Sequence, residues 1–382
     1  MLTRAQAPRR GDANNDIGRL TTSFQADTSR PERSTRGAEE QRRRATNLPL
    51  RLSLSSVNRD ATRQLLPFGS MKAVVALAAL TLLGAGAPAS SAGLPSGWRL
   101  VSAGPDGGVV YQGRIVNQFA GWDGRPSAIY LPPNFDSKSH YPVIYLLAGM
   151  RGSPSSYWGG LHFATVADQL ITSGQMPPFI AAIPAAGPIV NPDLGEWAGI
   201  WEKYLVEDVV PWVDAHLPSI PSASGRALEG LCAGGFGAVD IGLRHPGLFD
   251  TLGSWEGYFA PEFRDGPFAH ATALDLDAHD PSLLVRTDAG QLRTSGVRFY
   301  VSVGGNHGAV LRTWSLEFAQ ELQGLRLRHE LWLLPASGRG HFWRATMPSA
   351  LLYAGAGFTP MNTGTAASSA QPTTPSPTPT RT

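Results

Sequence analysis

The stretch Arg226-Ala-Leu-Glu-Gly-Leu-Cys-Ala-Gly-Gly235 decides the fold of this chain. Its first half has the length and character of a strand, and a helix-like segment begins near Phe236. Glycines stand two residues before and after Cys232, as in a sharp turn that presents a nucleophile, with cysteine where serine is usual. We therefore expect Cys232 at the carboxyl end of a sheet, facing a helix N-terminus that favours a reactive thiolate. The alternative is a small buried cysteine in an ordinary turn between a strand and a helix.

Strand-like and helix-like segments alternate along the rest of the chain, the pattern of a mainly parallel sheet covered by helices on both faces. Two apolar runs, at 141–147 and 179–183, are continuous, which is typical of parallel strands buried on both sides. Apolar residues at helical spacing predict helices over 201–216 and 311–325, whose tryptophans are expected to pack in the core. The remaining predicted strands cover 109–111, 127–131, 226–230, 251–255, 297–303 and 328–334.

Only the middle of the chain has the composition of a folded domain. We expect residues 93–360 to form one α/β domain, and residues 361–382, rich in Thr, Pro and Ser, to form a disordered or O-glycosylated tail. Residues 71–92 combine a positive start, a short apolar run and small residues at a cleavage site. This pattern predicts a secretory signal peptide, and with it a secreted or cell-envelope location.

Residues 1–70 precede this signal and contain 13 Arg, no Lys and 7 acidic residues. Because a signal peptide stands near the N-terminus, we expect Met71 to be the true initiator. The alternative is a disordered basic arm that binds nucleic acid or anionic lipid. Without this leader the chain carries 19 basic and 23 acidic residues, so nucleic-acid binding has little support.

Composition and motifs also argue against membrane-spanning, metal-dependent and cofactor-dependent functions. The apolar run of the signal is short for a bilayer, and no other run approaches the length of about 18 apolar residues that a spanning helix needs. The single cysteine excludes an internal disulfide, and the nine histidines are scattered without metal-ligand spacing. No P-loop is present, so we expect neither a metal nor a cofactor.

Three segments give the domain a resemblance to an esterase group that includes esterase D, the feruloyl esterases and the antigen 85 mycolyltransferases. They are Ile144-Tyr-Leu-Leu-Ala-Gly-Met-Arg151, Trp201-Glu-Lys-Tyr-Leu-Val-Glu-Asp-Val-Val-Pro-Trp212, and the cysteine turn followed by His245-Pro246 and Phe249. The resemblance implies an α/β-hydrolase fold. It also implies an oxyanion hole formed by the backbone N–H groups of Met150 and Ala233, which would stabilise a tetrahedral intermediate.

Three side chains near predicted strand ends are candidates for substrate binding. Arg151 follows Met150 and would orient an anionic or sugar-bearing substrate, unless it is a solvated loop arginine. Trp158 and Trp197 lie in Gly-rich loops, where a pocket role and a packing role are both open.

The general base is expected after the last strand, where Gly338-Arg-Gly-His-Phe-Trp343 supplies His341. This position keeps the order of nucleophile, acid and histidine that the fold requires. The other histidines are expected to be surface or core residues.

The acid departs from the family pattern, because loop 304–309 reads Gly-Gly-Asn-His-Gly-Ala and contains no carboxylate. Glu256, which follows the preceding strand, is the favoured replacement, since the carboxyl ends of adjacent strands converge on one site. Asn306 or His307 is the alternative, as in Cys-His-Asn enzymes, and a site without a triad is the third. Four further carboxylates in a predicted lid insertion are expected to be solvated: Asp265, Asp275, Asp277 and Asp280.

Two functions fit these residues. The first is a secreted esterase or acyltransferase that acts on an acyl ester, a lipid or a glycolipid, with Cys232 as nucleophile and His341 as base. The second is a catalytically impaired, antigen 85-like binding protein of the cell envelope, suggested by the cysteine and the missing acid. The sequence does not fix the acyl chain length, the choice between hydrolysis and transfer, or the oligomeric state.

Overall fold

The computed structural model describes residues 94–119, 126–150, 152–186, 196–262, 266–304, 309–334 and 339–358. The predicted leader, signal peptide and tail lie outside these residues. None of the helices that the structure describes has the length and apolarity that a membrane crossing needs.

Nine strands of the described residues form one sheet in the order β1-β2-β3-β5-β4-β6-β7-β8-β9. Strands β1 to β3 are antiparallel and join β5 in antiparallel register, whereas all pairs from β5 to β9 in this order are parallel. Their bounds are β1 Arg99–Ala103, β2 Val109–Gly113, β3 Ser127–Leu131, β4 Val143–Leu147, β5 Ile180–Ile183, β6 Arg226–Leu231, β7 Thr251–Trp255, β8 Arg298–Gly304 and β9 Arg328–Leu334.

Helices cover both faces of this sheet, which confirms the predicted α/β-hydrolase fold. They are α1 Phe163–Thr172, α2 Ile200–Lys203, α3 Val210–His216, α4 Ala233–Arg244, α5 Ala273–Asp277, α6 Pro281–Thr287, α7 Ala289–Ser295, α8 Ala309–Gly324 and α9 Arg339–Gly355. Two π-helical segments, Ser156–Gly160 and Tyr204–Val209, accompany them. Apolar side chains of α2, α3, α4 and α8 pack in the core on one face, and those of α1 and α9 pack on the other.

The strand order places a crevice above β4. The chain passes from β4 to β5 on one side of β4 and then to β6 on its other side. In sheets of this kind ligands bind at the carboxyl ends of the strands where the order reverses, because the loops leave towards opposite faces. The residues that follow β4 and β6 are therefore the first candidates for a functional site.

The main departures from the predicted elements are local. The helix predicted over 201–216 is interrupted by the π-helical segment Tyr204–Val209. The helix predicted to start near Phe236 begins earlier, at Ala233. The carbonyl of Cys232 accepts hydrogen bonds from the N–H groups of Gly235 and Phe236. Gly234 and Gly235 therefore belong to the first turn of the helix, although glycine would weaken an isolated helix.

A glutamate lies in the middle of the sheet. Glu229 of β6 is fully buried, and its carboxylate accepts a hydrogen bond from Trp255 Nε1 at 3.1 Å. Burial raises the pKa of Glu229 to about 8, although the hydrogen bond from Trp255 and the charge of Arg298 both oppose the shift. The carboxyl is therefore mostly protonated at neutral pH, three residues before Cys232.

Replacing Glu229 with glutamine should remove a pH-dependent loss of stability. Because the pKa of Glu229 in the folded state lies above its ordinary value of 4.5, the folded protein holds the proton more tightly than the unfolded chain. Its contribution to stability is complete below the ordinary pKa and is lost as the pH rises from about 4.5 to about 8, with a slope of at most about 1.4 kcal/mol per pH unit.

Urea unfolding of the wild type and Glu229→Gln across this pH range measures the difference in slope. Glu207→Gln, which changes an exposed glutamate, is the matched control and should keep the wild-type slope. The same slope in all three proteins would show that Glu229 does not titrate in this window.

Candidate active site

The turn at Cys232 holds its residue in a strained conformation. Cys232 lies between β6 and α4 with φ 52° and ψ −116°, a region that residues other than glycine rarely adopt. Its N–H donates to the carbonyl of Trp255 at 3.0 Å, and its carbonyl accepts from Gly235 and Phe236 at 2.8 and 3.1 Å. The side chain is partly exposed, at the N-terminus of a twelve-residue helix where a negative charge is stabilised.

Two glycines make this turn possible. A Cβ atom on Gly230 would collide with the backbone of Gly234, and a Cβ atom on Gly234 would collide with the carbonyl of Leu147 at the end of β4. Strands β4 and β6 and the first turn of α4 thus approach one another at a distance that only glycine permits. The spacing of glycines around Cys232 in the sequence has this physical basis.

The loop after β4 reaches the same point. A Cβ atom on Gly149 would stand 3.1 Å from the carbonyl oxygen of Leu231 and 3.2 Å from Cβ of Cys232. The next residue, Met150, packs in an apolar cluster that contains Ala233. The structure therefore brings together the nucleophile candidate and both residues predicted to form an oxyanion hole. Arg151 lies outside the described residues, and its role stays a prediction.

Trp197 packs beside the loop after β4 and is hydrogen-bonded to it. Its side chain is fully buried, its Nε1 donates to the carbonyl of Ala148 at 2.8 Å, and its Cβ lies where a side chain on Gly237 would have to be. The sequence prediction of a substrate contact therefore needs correction, because a ring without exposed surface cannot touch a ligand in this conformation. Trp197 instead fixes the segment that leads to Met150.

Trp158 lies in the π-helical segment Ser156–Gly160 that follows the same loop. Its ring is partly buried against the core of α1 and α9, and its Nε1 finds no hydrogen-bond partner among the described residues. Its neighbour Gly160 accepts a hydrogen bond from Arg344 of α9 at 3.1 Å. Trp158 is thus close to the helix that carries His341, and its role in substrate binding stays a prediction.

Glu256 is buried beside the turn at Cys232. It follows Trp255, whose carbonyl holds the N–H of Cys232, and its own N–H donates to the carbonyl of Ser302 at 2.7 Å. The side chain is 1% exposed, and the backbone of Glu256, like that of Cys232, has a positive φ, at 61°. Conformations of this kind cost about 1–3 kcal/mol and cluster at functional sites. The sequence placed Glu256 at this strand end, but gave no sign of its backbone strain.

His341 lies in the first turn of α9 and is exposed, whereas the next residue, Phe342, is fully buried. Asn306 and His307, the alternatives for the acid, lie outside the described residues, as do residues 335–338 before α9. Contact of His341 with Cys232, and with Glu256 or its alternatives, therefore stays a prediction.

The carboxylates of the predicted lid insertion have local structural partners. Asp275 forms a capping box with Thr272 at the start of α5, and Asp280 accepts a hydrogen bond from the N–H of Leu283 at the start of α6. Asp277 is exposed, and Asp265 lies outside the described residues. Helix capping accounts for Asp275 and Asp280 without a catalytic role.

An apolar cluster that the sequence did not reveal adjoins the nucleophile turn, and we call it the site cluster. Its members come from six separate segments, and no local pattern marks them as neighbours. Its buried members are Ala198, Ala233, Phe236, Tyr258 and Phe268, and Met150, Ala271, Leu276, Leu311 and Trp314 pack against them. Only the partly buried members leave apolar surface that could contact a ligand.

Trp314 also connects the site cluster with a cavity of about 530 Å³. The cavity lies between α6, α8 and the segment after β7, and Phe259 and Phe318 form part of its wall. These two rings stack with centroids 3.9 Å apart. Arg286 and Glu321, which form an ion pair at 3.1 Å, also line the cavity.

A family model described as "Putative esterase" matches residues 123–343. An esterase of Mycobacterium tuberculosis is 27% identical over 167 residues, which are 42% of this chain and 35% of that protein. An endo-1,4-beta-xylanase/feruloyl esterase of Xylanibacter ruminicola is 28% identical over 149 residues, which are 36% of this chain and 20% of that protein. The matched segments thus span about a third or less of these curated relatives.

Solved structures with the same fold include a ferulic acid esterase, with a TM-score of 0.58 and 19% identity over 66% of this chain and 99% of that one. An S-formylglutathione hydrolase from Agrobacterium tumefaciens aligns with a TM-score of 0.53 and 16% identity over 69% of this chain and 100% of that one. At these identities the two structures establish the fold of the described residues.

Proposed function

The chain belongs to the Esterase family, and from this premise we propose that it is a carboxylic ester hydrolase with Cys232 as its nucleophile. The turn at Cys232 carries the proposal. It places a reactive side chain in a strained conformation, at the N-terminus of α4 and against the loop of Gly149. A cysteine that only packs gains nothing from a conformation that costs about 1–3 kcal/mol.

The first half of the proposed reaction moves the acyl group to sulfur. His341 takes the proton of the Cys232 thiol, and the sulfur attacks the ester carbonyl carbon. The carbonyl electrons move to oxygen, where the N–H groups of Met150 and Ala233 stabilise the negative charge. When the intermediate collapses, the bond to the alkoxy oxygen breaks and His341 protonates that oxygen. An alcohol leaves, and a thioester remains on Cys232.

Water completes the proposed cycle. His341 takes a proton from water, the oxygen attacks the thioester carbonyl, and the carbon–sulfur bond breaks. A carboxylic acid leaves, and the sulfur regains its proton from His341. Water is preferred to a sugar alcohol as the acceptor because the curated relatives are named esterases. Acyl transfer would follow the same steps with an alcohol in place of water.

Glu256 is proposed to orient His341 and to stabilise its charge. Its support is its position, buried and in a strained conformation one residue after the carbonyl that holds Cys232. Asn306 and His307 are the alternatives. A carboxylate is preferred, because it stabilises the imidazolium more strongly than a neutral side chain.

The acyl part of the substrate is proposed to be apolar. The partly buried members of the site cluster, including Met150, Leu311 and Trp314, supply aliphatic and aromatic side chains in the cluster that contains Ala233. Esters of fatty or aromatic acids, including lipid and glycolipid esters, match this surface. Together with the predicted signal peptide, such substrates favour a secreted enzyme that acts at the cell envelope.

Hydrolysis of p-nitrophenyl esters tests the roles of Cys232 and His341. Cys232→Ala and His341→Ala should each lower kcat/KM by about 10³-fold or more, since the nucleophile and its base act as a unit. Cys232→Ser should retain measurable turnover, because a hydroxyl can form the same acyl intermediate. His140→Ala, which changes an exposed histidine just before β4, is the matched control and should behave as wild type.

Equal background rates for the wild type, Cys232→Ala and Cys232→Ser would refute ester hydrolysis through Cys232. If the protein with equal rates still bound acyl esters, the catalytically impaired binding protein would be the better description.

A second comparison identifies the acid. Glu256→Gln keeps the shape of the side chain and removes its charge, so it should lower kcat by about 10²-fold or more with little change in KM. Asn306→Ala and His307→Ala should have smaller effects, and Glu207→Gln, an exposed glutamate, should have none. A larger loss for Asn306→Ala or His307→Ala would move the assignment to that residue.

The proposed secretion is tested by expressing the chain from Met71 in a bacterium and sequencing the N-terminus of the exported protein. Cleavage of residues 71–92 should leave Gly93 as the first residue. Leu80→Arg, which places a charge in the apolar run of the signal, should keep the protein inside the cell. Equal export of the wild type and Leu80→Arg would contradict the signal peptide.

A further inference from the structure

Residues 266–280, between β7 and α6, contribute side chains to the site cluster. We call this segment the cap. It begins with a helical turn over Gly266–Phe268 and contains α5. Phe268 is a buried member of the site cluster, and Ala271 and Leu276 pack against it. The cap therefore supplies part of the apolar cluster that contains Ala233, and Ala271 and Leu276 are its partly buried members there.

The cap has little core of its own. None of the five residues of α5 is buried, and Leu274, the second of them, is 77% exposed. A helix of this length is unstable unless other groups hold it in place. Beyond the apolar contacts of the cap, two side-chain hydrogen bonds near its C-terminal end hold its position.

Arg244 makes the first of these bonds. Its Nη1 donates to the carbonyl of Ala278 at 2.7 Å, directly after α5. Its Nε forms an ion pair with Glu202 at 2.9 Å, and His245 contacts the same carboxylate oxygen at 2.8 Å. Burial acts to raise the pKa of Glu202, but the hydrogen bonds from His245 and Arg244 outweigh it and lower the pKa. Glu202 thus stays ionised and orients Arg244 towards the cap.

His279 makes the second bond. Its Nδ1 lies 2.7 Å from Oδ2 of Asp240, a fully buried carboxylate of α4. Burial raises the pKa of Asp240, and the hydrogen bond from His279 opposes that shift. The ring of His279 also meets Phe268 edge to face, with centroids 5.2 Å apart. The same histidine therefore contacts both the nucleophile helix and the apolar wall of the site.

Both bonds end on α4, the helix whose N-terminus carries Cys232. We propose that Arg244 and His279 are positioning residues that fix the cap to the nucleophile helix and thereby limit the size of the acyl group that reaches Cys232. This inference rests on the proposed function for its meaning, but access to the thiol is measurable without turnover. Since the bonds lie behind the site cluster, they act through Phe268 and Leu276 and do not touch the substrate.

The test compares alkylation of Cys232 by a small reagent, iodoacetamide, with alkylation by a bulky one, N-(1-pyrenyl)maleimide. In Arg244→Ala and His279→Ala the ratio of bulky to small rate constants should rise about tenfold, since losing a hydrogen bond to a charged group changes an opening equilibrium by about this factor. In the same two variants, KM for p-nitrophenyl esters with long acyl chains should fall, because the loosened cap admits a larger acyl group. Their kcat for p-nitrophenyl acetate should stay nearly unchanged.

Conservative and control variants separate positioning from a general loss of stability. His279→Asn keeps a donor close to the place of Nδ1 and should restore the wild-type ratio. Leu274→Ala removes an exposed cap side chain away from both bonds and should leave the ratio unchanged. If Arg244→Ala does not fold, His279→Ala and His279→Asn alone decide the matter.

An unchanged alkylation ratio in folded His279→Ala would overturn the inference, whatever the protein hydrolyses. A raised ratio that His279→Asn fails to restore would also overturn it, because the hydrogen bond would not be the cause. A raised and restored ratio in a protein without esterase activity would support the positioning role and refute the proposed function.

Discussion

The close contact between Gly230 and Gly234 is the constraint on which the rest of the site depends. It brings the end of β6 against the first turn of α4, and Cys232 between them has φ 52° and ψ −116°. That conformation turns the Cys232 N–H towards Trp255 and its carbonyl towards the helix. One contact between two glycines thus sets the start of a helix, the exposure of a thiol and its pairing with the next strand.

Two buried carboxyl groups lie in or directly after the strands around this turn. Glu229 accepts a hydrogen bond from the side chain of Trp255, Glu256 directly follows Trp255 in the sequence, and both glutamates are almost inaccessible to water. A buried carboxyl group destabilises the folded state, because removing it from water costs several kcal/mol unless it is neutral or hydrogen-bonded. Glu229 avoids the cost by holding its proton, since its pKa is raised to about 8. Glu256 follows the end of β7, one residue after the carbonyl that holds the N–H of Cys232, and its proposed role is to stabilise the charge of His341.

Part of this arrangement can be predicted from the sequence. Whether a residue's position is predictable depends on whether its neighbours are local in the chain. The strands β4 and β6 and the turn at Cys232 are local features, so apolar runs and the glycine spacing predicted them. For Trp197, a candidate substrate contact in a Gly-rich loop, the sequence leaves a pocket role and a packing role open, and the structure has it fully buried with its Nε1 bonded to the carbonyl of Ala148. The site cluster escaped prediction because Phe268, Trp314 and Met150 come from segments that only the tertiary fold brings together. The same holds for the bonds of Arg244 and His279, which join residues more than thirty positions apart.

The cysteine and the missing carboxylate of loop 304–309 become intelligible together under the proposed mechanism. A serine hydroxyl loses its proton only as it attacks, so it depends on a histidine that a carboxylate orients and stabilises. A thiol ionises far more readily, and the N-terminus of α4 stabilises its anion before any substrate arrives. The charge that a nearby acid would otherwise supply is then partly replaced by the helix. A chain that places cysteine in this turn can therefore tolerate an acid that has moved to Glu256, or a neutral residue in its place, at a smaller loss of rate than a serine enzyme would suffer.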